Sequence, residues 1–168
     1  MATTLSTSGK INVATALSND VDAGSASSSQ DNTVTIKLTN GTTADKADLT
    51  WTDQRTLADS ATEELDLAGS LASAFGASLT FARVKAIMVK NESTTQVLTV
   101  GGAASNAFEG WISSGGTITV RPGGAVAFYA PDVTGYEVTA GTGDLLKVAN
   151  GAAGDATTYT ITVVGCSA

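Results

Sequence analysis

Glu63, Glu64 and Asp66 form the tightest acidic grouping in the chain, and two carboxyl groups are all that glycoside hydrolysis asks of its catalysts. Sites of that kind lean on aromatic rings that hold the sugar, and no aromatic residue lies between Trp51 and Phe75. The grouping therefore reads as a solvated acidic turn. Asn19-Asp20-Val21-Asp22 offers oxygen ligands suited to calcium, but it lacks the glycine and distal glutamate of an EF-hand loop.

Histidine is absent, which removes the commonest general base, the triad base and the usual transition-metal ligand together. Cys166, the single cysteine, has no histidine partner, cannot close an intramolecular disulfide and reads as an incidental thiol at a mobile end. Zinc is not expected with such a ligand set. None of the glycine pairs is followed by Lys-Ser/Thr and a helix, so Gly101-Gly102, Gly123-Gly124 and Gly141-Thr142-Gly143 read as turns, not phosphate loops. Trp111 and Tyr129 could form a sugar-stacking face, although core or interface packing is the commoner use of such rings. The expectation is a protein that is not an enzyme, with no catalytic residue, no cofactor and no metal.

Charge and composition narrow the class further. Nine basic residues against 16 acidic ones give a net charge of −7, concentrated in residues 1–78, where four basic and ten acidic residues leave −6. Such a surface repels phosphates, and no basic cluster offsets it, so a nucleic-acid partner is not expected. No apolar run is long enough to span a bilayer, and MATTLSTSGK has neither a basic start nor an apolar core; neither membrane insertion nor export by a signal peptide is expected. Hydrophobic residues make up 42% and aromatics only 5%, so the core must be built mainly from Val, Leu, Ile and Ala.

The elements that would carry these residues are short strands, ordered around the segment Thr62–Asn91. Its last part, Leu79 to Lys90, is the longest apolar-biased run and reads as a strand buried on both faces. Before it, TVTIKL (residues 33–38) and LTWTDQRTL (residues 49–57) alternate as half-buried strands, with Asn40-Gly41 as a hairpin signal. Ala68 to Gly76 has room for one or two helical turns, with Leu71 and Phe75 facing one direction. Short strands follow at 97–100, 108–112, 117–120, 125–130, 136–140, 145–149 and 157–164, separated by glycine turns. About ten strands at such spacing, with almost no helix, predict an all-β antiparallel β-sandwich.

Residues 1–32 stand apart. They are rich in Thr, Ser, Asn, Asp and Ala, and SASSSQDN is close to low complexity, which predicts either a disordered leader or an extended N-terminal arm ordered by assembly. The division expected is an arm over 1–32 and a sandwich over 33–168. Ile11, Val13 and Leu17 give the arm a weak two-residue period, and these three together with Trp111 are the candidate protein-interaction residues.

The block from Arg55 to Gly165 resembles small virion structural proteins of tailed bacteriophages. The matching pieces are RTLADSATEELDLAGSLASAFGASLTFARVKAIMVKN, LTVGGAASNAF, ITVRPGGAVAFYAPD, GYEVTAGTGDLLKVAN and YTITVVG. What the resemblance implies is a jelly-roll-like sandwich on the particle, above all a capsid decoration (cement) protein. Such a protein would be made in the host cytoplasm and bind the major capsid protein on the outer surface of the head as a homotrimer or homodimer. The alternatives are a tail fibre or receptor-binding module, with Trp111 exposed in a loop to contact glycans, and a tail-tube or adaptor component.

Overall fold

The computed structural model describes residues 4–151 and 154–168. Its strands are β1 (Thr7–Val21), β2 (Gly24–Asn40), β3 (Lys46–Ala47), β4 (Leu49–Leu57), β5 (Thr62–Asp66), β6 (Leu71–Ala72) and β7 (Ser78–Leu79). They continue with β8 (Arg83–Asn91), β9 (Leu98–Gly101), β10 (Thr117–Val120), β11 (Ala125–Tyr129), β12 (Tyr136–Glu137), β13 (Leu145–Asn150) and β14 (Thr157–Cys166). The protein is all-β. Two antiparallel sheets form the sandwich: one in the order β4-β14-β8-β11, with β12 also on β8, and one in the order β5-β13-β9-β10. Numbering the eight sandwich strands along the chain gives 1-8-3-6 in the first sheet and 2-7-4-5 in the second. Each of the connected pairs β4–β5, β8–β9, β10–β11 and β13–β14 holds the same rank in the two sheets. That winding is a jelly roll.

Alternation decides what lies between the sheets. In β14, Tyr159, Ile161 and Val163 point inward while Thr158, Thr160 and Thr162 point out. Opposed to them in the core are Leu65, Val100, Leu146 and Val148 of the second sheet. Trp51 is buried and Thr50 and Thr52 are exposed, as the period of residues 49–57 predicts.

The run 79–90 behaves differently from its sequence reading. Leu79 belongs to the short β7, and β8 buries only one face over most of its length, with Val84, Ile87 and Val89 inward and Met88 and Lys90 exposed. The outer face of this sheet is covered only near one end. There Leu38, Ala47 and Val164 make a second small core, joined by Leu5, Ala86 and Tyr129. This cover explains why the alternation of β14 stops after Val163 and the strand ends in a run of four buried residues, Val163 to Cys166. Cys166 is thus a buried residue of a central strand, its Sγ 3.4 Å from the Lys46 carbonyl oxygen, rather than a thiol at a mobile end.

At the same place the pairing of β14 with β8 slips by one residue between Val164 and Gly165. Lys85 is the extra residue of this bulge. Its side chain is fully buried, and its Nζ donates to the main-chain carbonyl of Asp132.

Residues 68–76 form no helix. Ser73 Oγ accepts from the N–H groups of Phe75 and Ala77, a local side-chain bond that competes with a helical ladder, and Gly76 takes φ 79°. The result is a minimal hairpin, β6–β7, with Leu71 buried and Phe75 86% exposed, so the two do not face one direction. Asn40-Gly41 closes no hairpin either, because β3 runs parallel to β2. Residues 108–112 form no strand, and the chain turns at Gly110 and Trp111.

Candidate interaction surface: the projecting hairpin

β1 and β2 pair over fifteen positions, from Thr7↔Leu38 to Val21↔Gly24. The expected boundary after residue 32 lies inside β2, which runs on unbroken to Asn40. The turn is the two residues Asp22 and Ala23, and Gly24 leaves it at φ 148°, a conformation that L side chains rarely adopt. Every residue from Lys10 to Thr35 is exposed.

The register sorts the side chains onto two faces. One carries Ser8, Lys10, Asn12, Asp20, Asp31, Thr33 and Lys37, among others, and is tied by its own polar bonds. Asn12 Nδ2 donates to Asp31 Oδ1 at 2.7 Å and to Thr33 Oγ1 at 2.8 Å. The other face takes the odd residues of β1 and the even residues of β2. It bears no charged side chain. At its root Ile36 and Leu38 are buried against the sandwich; further out Ile11, Val13, Leu17, Val21 and Val34 are 44%, 58%, 73%, 52% and 54% exposed. Where the hairpin lifts off the sheet, a cleft of 180 Å³ opens between Gly9, Ile11 and Ile36 and the outward residues Met88, Ala127 and Thr162.

The structure therefore brings Ile11, Val13 and Leu17 together and adds Val21 and Val34 to them. Val21 continues the same two-residue period, and Ile11↔Val34 is a direct cross-strand pair. Trp111, the fourth candidate, is corrected: it is a core residue, 8% exposed. Its ring packs edge-on against Phe128 with centroids 4.8 Å apart, and its Nε1 donates to the Phe108 carbonyl at 3.0 Å. A loop aromatic buries itself here because the indole N–H finds a main-chain acceptor three residues back, leaving only apolar surface to cover.

The acidic grouping is divided as well. Glu63 accepts from Tyr159 Oη at 2.7 Å through Oε1 and from Arg55 Nε at 2.6 Å through Oε2, while Arg55 also reaches Asp53 at 2.9 Å. These bonds join β5 of one sheet to β14 and β4 of the other. Burial and the bond to Glu63 push the Tyr159 hydroxyl far above its ordinary range. Glu64 faces outward, and Asp66 accepts from the Ala68 N–H at 2.8 Å. A groove of 470 Å³ runs beside β4, lined by Trp51, Asp53, Arg55 and residues 70–74, and none of the three acids lines it. Asn19–Asp22 sits at the tip of the hairpin, and no group of three or more potential metal ligands occurs among the described residues.

Comparisons with known protein families, with curated proteins and with solved structures find no match to this chain.

Proposed function

We propose that this chain is a non-enzymatic structural protein of a tailed-phage particle. In this reading it decorates and stabilises the outer surface of the capsid, with the major capsid protein and further copies of itself as partners. The observation that carries the reading is the hairpin. A jelly roll closes its own core, yet this chain spends residues 7–40 on a projection that buries only its root. A two-stranded ribbon of this kind is marginal alone in water, which favours a role in which neighbours cover it. The resemblance of residues 55–165 to phage virion proteins supplies the setting, and the acidic surface suits a protein displayed in many copies in solvent.

Immunogold electron microscopy of native particles with an antibody to this chain tests the placement. Label scattered over the heads is the expected result. Label confined to the tail or its tip would move the protein to a fibre or tube role, and no label on particles would remove the reading.

A further inference from the structure

We infer that the uncharged face of the β1–β2 hairpin is a self-association surface, and that its occupant is the same face of a second copy of this chain. The inference concerns the hairpin alone and does not rest on where in a particle the protein sits.

Charge selects the partner. Each copy carries −7, so two copies repel at long range and can meet closely only where charge is missing. The hairpin sorts its charges accordingly. Lys10, Asp20, Asp31 and Lys37 all lie on the opposite face, and Asp22 is in the turn. Of the eight large hydrophobic side chains that are exposed among the described residues, five lie on the uncharged face. A face with no charge offers nothing to a phosphate or an ionic headgroup, and it meets its own copy without like-charge cost.

Shape agrees with charge. Along β1 the face is mainly apolar, with Ile11, Val13, Leu17 and Val21 interrupted by the uncharged Thr15 and Asn19, and along β2 beyond Val34 it is mostly polar and neutral, with Asn32, Gln30 and Ser28. Two hairpins laid face to face and antiparallel, about a two-fold axis perpendicular to the strands, put β1 over β1. The apolar strips then meet along one side, and the amides of Gln30 and Asn32 face one another on the other side. The contact continues the packing that Ile36 and Leu38 already make at the root.

Size sets the strength. Eleven residues of projecting strand span about 35 Å, so two such ribbons bury on the order of 800 Å² in total, below the ~1,200 Å² at which stable interfaces begin. The association is therefore weak between free copies and becomes firm only where copies are held side by side.

Sedimentation velocity of the full chain, from about 1 μM to about 1 mM, reads this directly. The wild-type sedimentation coefficient is expected to rise with concentration. Leu17→Asp and Val13→Asp, at positions that touch no core residue, should sediment as monomers throughout. Ala16→Asp, one residue away on the opposite face, should associate like the wild type. Circular dichroism checks that each variant keeps its sheets. A wild-type chain that stays monomeric across the range, or a Leu17→Asp chain that associates as strongly as wild type, would overturn the inference. A monomer that still binds capsids would refute self-association and leave the decorating role standing. Self-association without particle binding would do the reverse.

Discussion

Val34 and Ile36 point the same way from one strand, two residues apart, yet Val34 is 54% exposed and Ile36 only 9%. The step marks where β2 leaves the sandwich. Nothing in the local sequence, TVTIKL, distinguishes the two positions, because burial here is decided by what the outer sheet reaches rather than by residue type.

Tyr159→Phe should lower stability by about 1.5–3 kcal/mol, the usual net value of a hydrogen bond to a charged acceptor. Glu63 would keep Arg55, so the carboxylate is not orphaned. Chemical denaturation of the two proteins measures the difference. No change would mean that the 2.7 Å contact between the sheets contributes nothing.

Stability should be level through neutral pH and fall above roughly pH 9–10, where an unfolded thiol and then an unfolded phenol ionise. Burial raises both Cys166 and Tyr159 in the folded chain. The unfolded chain thus loses these protons first, and folding becomes less favourable as pH rises toward the folded values. Tyr159→Phe should flatten the upper part of that fall. Midpoints of thermal melting between pH 7 and pH 11 test it, and an identical alkaline profile in the variant would contradict it.

Gly165→Ala should cost about 3 kcal/mol or prevent folding, since overpacking at a rigid site has no cheap relief. A Cβ there would stand 2.2 Å from the Arg83 carbonyl oxygen and 2.8 Å from the Phe81 ring. The backbone of the central strand would have to shift at its bulge. A soluble variant with wild-type melting would show that the bulge is not fixed by this glycine.

Trp111→Ala should destabilise the whole sandwich by about 3–5 kcal/mol, as for other large core truncations. An exposed glycan-contacting tryptophan would instead lose binding with little change in melting. Glycan-array binding and a thermal melt of the same variant separate the two outcomes.

The sandwich was legible because its strands keep a strict two-residue period: Trp51 between Thr50 and Thr52, or Ile161 between Thr160 and Thr162, leaves no doubt about the face. The hairpin was only half legible. Ile11, Val13 and Leu17 carry the period, but their partners in β2 include Asn32 and Ser28, and a Ser-rich strand paired only with its neighbour looks like a linker. Trp111 and Cys166 were misplaced for one shared reason. Both are buried by elements distant in sequence, Phe128 in one case and β3 in the other, and no local pattern announces such cover.

Incorporation into particles is the most direct measure of the hairpin's role. Particles assembled with Leu17→Asp or with Ala16→Asp chain can be purified and their content of this chain quantified by mass spectrometry. Ala16→Asp is predicted at the wild-type level and Leu17→Asp at less than about a tenth of it, since the loss at each contact is multiplied across neighbouring copies. Equal incorporation of the two variants would contradict the claim that the uncharged face of the hairpin holds this protein in its assembly.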